Sequence, residues 1–153
     1  MAGREDFSYE QWATMHAAML GAPMLVCLCE GGGTDMIAEM MAVTGQIRAA
    51  RQANPNQLVR ELAAGRRLRT GLRPGMSVAE FEVTVLAAVH EAAAAIRARA
   101  PEDMPAYRDF LLWLSETAAG AHREGGFLGV GGTNVSPVEE AVIARIRQAL
   151  ADR

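Results

Sequence analysis

The spacing of the apolar residues constrains the fold more than any other feature of this sequence. Within the segments 78–96, 107–121 and 138–150, apolar side chains recur every three or four positions. That spacing places them along one face of an α-helix. No stretch alternates apolar and polar residues with a period of two over a useful length, as a half-buried strand would. The pattern predicts an all-α fold, a single-domain bundle of about six or seven helices spanning residues 1–153.

Several helix starts are marked by capping boxes, in which a Ser is followed three residues later by Glu or Gln. The three pairs are Ser8 with Gln11, Ser77 with Glu80, and Ser136 with Glu139. Asn54 followed by Pro55 is a further start signal. With the glycines at 21, 31, 65 and 120 as helix ends, we predict helices at about 9–20, 23–30, 35–52, 55–64, 78–100, 104–121 and 137–151.

The segment from Gln11 to Cys29 contains no Asp, Glu, Arg or Lys. Because Gly21 and Pro23 interrupt it, we interpret it as two buried helices meeting at Gly21–Pro23 and predict no membrane span. Cys27 and Cys29 stand one residue apart inside this apolar run, which does not resemble a disulfide framework. The cysteine usage therefore predicts a reducing, cytoplasmic location.

The composition excludes several functions. The chain has 29 alanines and 15 arginines but no lysine, so it contains no primary side-chain amine for a Schiff base or a phosphate loop. Its net charge of -3 predicts no binding to nucleic acid. Neither a Glu-x-x-His nor a His-Glu-x-x-His motif is present. These absences favour a binding protein over an enzyme.

Methionine is concentrated near the start of the chain. Six of the nine methionines lie within 27 residues: Met15, Met19, Met24, Met36, Met40 and Met41. Thioether, thiolate and imidazole ligands together suit Cu(I), and a His with a Met suits haem. Methionine also fills gaps in helical cores, which is the simpler interpretation. The candidate ligand pocket comprises Met15, His16, Met19, Met36 and Met40, and it would belong to a carrier or enzyme that encloses an apolar small molecule or haem.

A cluster of arginines interrupts the helical pattern near the middle of the chain. Arg66, Arg67, Arg69 and Arg73 fall within eight residues that also contain Gly71. Guanidinium groups bind phosphates and carboxylates through paired hydrogen bonds. These four arginines are therefore candidates for contact with an anion or a partner protein. The alternative is a solvated loop that neutralises acids on neighbouring helices.

Two places in the chain share a Glu-Gly-Gly sequence followed by a Ser- or Thr-capped helix with acidic residues in its first turns. This repeated pattern is also expected of any helical hairpin, which needs a glycine C-cap followed by a polar N-cap. In the segments 30–41 and 124–150 the chain also resembles the TerB-like helical proteins of bacterial tellurite-resistance and stress clusters. Where that family has Asp, this sequence has Glu30 and Glu124.

The TerB-like resemblance implies a pseudo-symmetric bundle with a non-enzymatic role that involves a divalent metal or partner proteins. Its candidate metal ligands here are Glu30, Asp35, Glu39, Glu124, Glu139 and Glu140. The end of the chain is also similar to uncharacterised small bacterial helical proteins. We therefore predict a small binding or interaction protein that recognises a partner protein, a small apolar ligand or a divalent metal. Whether the chain forms a homo-oligomer stays open.

Overall fold

The computed structural model of the chain describes residues 1–30, 36–65, 70–120 and 135–151. Within these ranges it contains six α-helices, two 3-10 turns and no strand, which confirms the all-α prediction. The helices are α1 (Tyr9–Leu28), α2 (Met36–Ala53), α3 (Gln57–Ala63), α4 (Val78–Arg99), α5 (Met104–Gly120) and α6 (Pro137–Ala151). The 3-10 turns are Arg4–Asp6 and Pro101–Asp103. None of the described helices is long and apolar enough to cross a membrane.

Helix α1 is the central element of the fold. It packs most extensively against α4 and α5 and also contacts α2 and α6. Its buried side chains lie on every side of the helix, and Met15, Met19 and Leu25 have no exposed surface. A helix that is apolar all round is stable only when other elements surround it. Most of the uncharged stretch from Gln11 to Cys29 is thus part of the core of the bundle.

The prediction that two helices meet at Gly21–Pro23 is wrong, because α1 continues through both residues. A Cβ atom on Gly21 would lie 2.9 Å from Cγ2 of Val85 and 3.1 Å from the carbonyl oxygen of Thr70. Gly21 therefore allows α4 and the segment before it to approach α1 closely. A proline inside a helix costs about 3 kcal/mol. Burial of this segment on all sides offsets that cost for Pro23.

All three predicted capping boxes are confirmed. Ser8 Oγ accepts a hydrogen bond from the Gln11 backbone N–H at 3.1 Å, and Gln11 Oε1 accepts one from the Ser8 backbone N–H at 3.0 Å. The same reciprocal pairs form at the starts of α4 and α6, between Ser77 and Glu80 and between Ser136 and Glu139. Each box satisfies two backbone donors that a helix start leaves open.

Helix α3 begins two residues later than predicted. The Asn54 side chain accepts a hydrogen bond from the Asn56 backbone N–H at 2.9 Å, which makes a turn at Pro55. Asn56 is then the N-cap, because its Oδ1 accepts from the Val59 backbone N–H at 3.1 Å. The sequence correctly predicts a helix start in this segment, but the N-cap is Asn56 and not Asn54.

Candidate functional site

Helix α2 has an inner side that belongs to the core and an outer side that faces water. Its inner side buries Val43, Ile47 and Ala50 against the core. On its outer side Ile37 and Met41 are 69% and 70% exposed. They stand four residues apart and therefore adjoin on the helix surface. Helix α2 thus carries large apolar side chains on a side that no described element covers.

A shallow depression of about 490 Å³ follows this outer side. The described residues that line it, which we call the α2 face, are Met36, Ile37, Met40, Met41, Thr44, Gly45 and Arg48. Met36 and Met40 are half-buried and pack against the core at the border of the face. The apolar surface therefore continues from the core to the exposed side chains of Ile37 and Met41.

The charge of α2 is arranged along its length. Arg48 and Arg51 are exposed on the turns that follow the apolar part of the α2 face. Neither arginine forms an ion pair with another residue that the structure describes. Glu39 is the only acidic residue of α2, and it is 2% exposed. The outer side of α2 is thus apolar at its start and positively charged towards its end.

The five residues of the predicted ligand pocket fall into two groups. Met15, His16 and Met19 lie in the core on α1, where the two methionines have no exposed surface. Met36 and Met40 lie on α2, at the border of the α2 face. Enclosure of an apolar molecule or haem by these five residues stays a prediction.

His16 serves as a hydrogen-bond donor inside the bundle. Its Nε2 lies 2.9 Å from the Leu62 carbonyl oxygen, and since a carbonyl only accepts, Nε2 carries the proton. Burial lowers the pKa of His16, and the nearby positive charge of Arg4 lowers it further, against the opposing effect of the bond to Leu62. A Cβ atom on Gly65 would lie 2.3 Å from Nε2. Glycine at this position makes the close approach of His16 to α3 possible.

The six predicted metal ligands are placed differently from one another. Glu39 and Glu139 are buried, at 2% and 3% exposed, whereas Glu30 and Glu140 are exposed. Asp35 and Glu124 lie outside the described residues. Within the described part of the chain, no group of three or more His, Cys, Asp or Glu side chains is placed to hold a metal ion. Divalent-metal binding by the six carboxylates stays a prediction.

Glu39 and Glu139 lie near Cys27 and Cys29. We call these four residues the thiol–carboxylate cluster. Burial raises the pKa of the Cys27 thiol, and a hydrogen bond to Glu39 raises it further. Burial, followed by the charges of Glu139 and Glu30, raises the pKa of Cys29 to about 11. Both thiols therefore stay protonated near neutral pH and are poor nucleophiles.

Of the four arginines predicted to contact an anion or a partner protein, the structure describes Arg73. Arg66, Arg67 and Arg69 lie outside the described residues. Arg73 is exposed and lines a depression of about 500 Å³ that is shared with the first turns of α4. Two glycines with positive φ, Gly71 at 82° and Gly75 at 79°, make the turns on either side of it. Contact of the four arginines with an anion or a partner stays a prediction.

Two features of the site were not predicted from the sequence. Ile37 and Arg48 lie outside the predicted pocket, although the spacing of residues 37, 41, 44 and 48 places them along one line on α2. That line was a usable signal, because the buried residues Val43 and Ile47 lie on a different side of the helix. The thiol–carboxylate cluster had no comparable signal, since α6 lies more than a hundred residues after the cysteines.

Comparisons of the chain with protein-family models, curated proteins and solved structures found no match. The resemblance to TerB-like proteins therefore stays a prediction from the sequence. The α2 face is an apolar surface that core packing leaves exposed.

Proposed function

We propose that this chain is a small interaction protein whose α2 face binds an acidic amphipathic helix of a partner protein. The observation that carries the proposal is the exposure of Ile37 and Met41, at 69% and 70%. These side chains are not needed for the core, because the inner side of α2 already packs there. Contiguous apolar surface kept in water is typical of interaction sites. Non-enzymatic binding also agrees with the absence of lysine-dependent chemistry in this sequence.

The shape of the α2 face suits a helix. From Ile37 to Arg48 the face spans about 16 Å, or three helical turns at 1.5 Å per residue. An amphipathic helix places apolar side chains at positions i, i+3, i+4 and i+7 into such a groove. Methionine suits this role because its unbranched, polarisable side chain adapts to the shape of the partner. Three of the seven residues of the α2 face are methionines.

The charge of the face favours an acidic partner. Arg48 and Arg51 extend the apolar surface with two cations that no described carboxylate neutralises. A partner helix with apolar residues over Ile37 and Met41 and carboxylates over the arginines complements both parts. Charge complementarity of this kind raises association rates and selects among partners.

Two other occupants fit the face less well. A second copy of this chain docked in parallel would bring Arg48 and Arg51 against the same two cations, and an antiparallel copy would place them over the apolar residues. A small apolar molecule in a shallow depression would stay largely in water, whereas ligand pockets enclose 70–90% of the ligand surface. An acidic helix is the occupant that satisfies shape and charge together.

A synthetic peptide of about 18 residues tests the proposal, with leucines at helical spacing on one face and glutamates on the others. Calorimetry of the full chain should detect binding that weakens as salt rises. Changes in amide chemical shifts should concentrate within residues 36–51. The double variant Ile37→Glu with Met41→Glu should lose about tenfold or more in affinity.

Matched variants on α4 provide the controls. Val83 is 71% exposed, so Val83→Glu introduces the same charge at an equally exposed position and should leave peptide binding unchanged. Arg48→Glu should weaken binding, whereas Arg99→Glu should not. A peptide with lysines in place of the glutamates should not bind. Equal affinity of the Ile37→Glu, Met41→Glu variant and the unaltered chain would overturn the proposal, as would a dimer in sedimentation experiments that the same variant dissociates.

A further inference from the structure

The methionines of α1 and α2 differ in exposure, with Met24 on α1 half-buried between the two extremes. Met15 and Met19 on α1 have no exposed surface, whereas Met41 on α2 is 70% exposed. Met36 and Met40 are half-buried on the same helix. A peroxide in solution reaches a thioether only where the sulfur is accessible. Met41 is therefore open to oxidation in the folded chain, and Met15 and Met19 are shielded from it.

The cysteines do not compete strongly for the same oxidant. Cys27 is buried, and Cys29 is half-buried with its thiol donating to the Val26 carbonyl oxygen at 3.0 Å. Burial, together with the carboxylates of the thiol–carboxylate cluster, raises the pKa of both thiols and keeps them protonated near neutral pH. Peroxide reacts with thiolates far faster than with thiols. Thioethers do not titrate, so exposure alone governs which methionine reacts.

We infer that the α2 face is a peroxide-sensitive docking surface on which Met41 is the first thioether to be oxidised. The inference rests on the proposed function of this face. A sulfur lone pair of Met41 attacks one oxygen of hydrogen peroxide, the O–O bond breaks, and a sulfoxide and one water form. The sulfur loses two electrons and the peroxide gains them. A reductase that draws two electrons from a dithiol restores the thioether and releases a second water.

Oxidation removes the apolar character on which docking depends. Ile37 is the only other large apolar side chain of the α2 face besides its three methionines. A sulfoxide is polar and strongly hydrated, so an oxidised Met41 no longer gains from contact with leucines of a partner helix. Met36 and Met40, which border Met41, extend the effect as they oxidise in turn.

Peptide mapping measures the order of oxidation directly. The full chain is treated with hydrogen peroxide, quenched and cleaved after glutamates, which yields the peptides 11–30, 31–39 and 40–61. These separate Met15, Met19 and Met24 from Met36, and Met36 from Met40 and Met41. Fragmentation spectra then assign each sulfoxide. Met41 should oxidise about tenfold or more faster than Met15 and Met19, and urea-unfolded chain should show similar rates at all three positions. Similar rates in the folded chain would overturn the inference.

Binding of the acidic peptide supplies the second readout. Peroxide treatment should lower its affinity about tenfold, and circular dichroism should show unchanged helix content. The affinity of the triple variant Met36→Leu, Met40→Leu, Met41→Leu, compared with that of the same variant before treatment, should not change on exposure to peroxide. The double variant Met15→Leu with Met19→Leu should stay sensitive. If the untreated chain does not bind the peptide, the proposed function fails. If the treated chain binds as well as the untreated one, the inference fails and the proposed function stands.

Discussion

Helices α1 and α2 carry methionines at the same spacing but bury them to different extents. Met15 and Met19 on α1, like Met36 and Met40 on α2, are four residues apart and share a helix face. On α1 the neighbouring residues in the sequence are uncharged, and the helix packs against four other helices. On α2 two exposed arginines follow, and part of the methionine surface faces water. The residues around a methionine, more than its spacing, decide whether it belongs to the core.

The largest expected effect tests whether the two helices differ in their contribution to stability. Met19→Ala removes a side chain with no exposed surface and should lower the free energy of unfolding by about 2–5 kcal/mol. Met41→Ala removes a side chain that is 70% exposed and should change it by about 0.5 kcal/mol or less. Urea denaturation of the two variants measures both values. Equal losses would show that Met41 packs as tightly as Met19 and would remove the contrast.

Much of the fold could be predicted from the sequence. The Ser8, Ser77 and Ser136 capping boxes fixed three helix starts because a cap depends only on residues three positions apart. The apolar periodicity gave the fold class for the same local reason. The path of the chain through Gly21 was not predictable, since the decisive contact is with Val85, 64 positions later. Tertiary packing overrode the local signal there.

Two glycines provide a second and smaller test of the same contrast. Gly21→Ala on α1 places a Cβ atom 2.9 Å from Val85 Cγ2, so the variant should lose about 1–3 kcal/mol of stability. Gly45→Ala on α2 meets nothing within 4 Å, and the higher helix propensity of alanine should raise stability by about 0.5–1 kcal/mol. Thermal unfolding of both variants should therefore shift in opposite directions. A stabilised Gly21→Ala chain would mean that α1 and α4 are not in close contact.

The candidate site was less accessible to sequence reasoning than the fold. Grouping methionines by position in the chain joined Met15 and Met19 with Met36 and Met40, because sequence distance does not distinguish a core helix from a surface helix. Of the carboxylates indicated by the TerB-like resemblance that the structure describes, Glu39 and Glu139 are buried near the cysteines. Their approach depends on how α1, α2 and α6 pack, which no local pattern encodes.

The smallest expected effect concerns charge in the buried part of α1. The stretch from Gln11 to Cys29 contains no Asp, Glu, Arg or Lys, so a protonated His16 would be its one charged side chain. Burial lowers the pKa of His16 below its ordinary value, so the unfolded chain binds the proton more tightly than the folded chain. The free energy of unfolding should therefore fall as pH drops below about 6.5, the ordinary histidine pKa. The effect is modest because Nε2 donates to the Leu62 carbonyl in both protonation states.

A pH series of urea denaturation measures this dependence, and two glutamine variants isolate it. His16→Gln retains a donor for the Leu62 carbonyl but does not titrate, so its stability should fall less than that of the unaltered chain between about pH 7 and pH 5. His90 is exposed on α4, and His90→Gln is the matched control for the substitution itself. If His16→Gln and the unaltered chain follow the same curve, the imidazole of His16 is hydrated in the folded state. Helix α1 would then tolerate a charge as the outer side of α2 does, and burial would no longer separate the two helices.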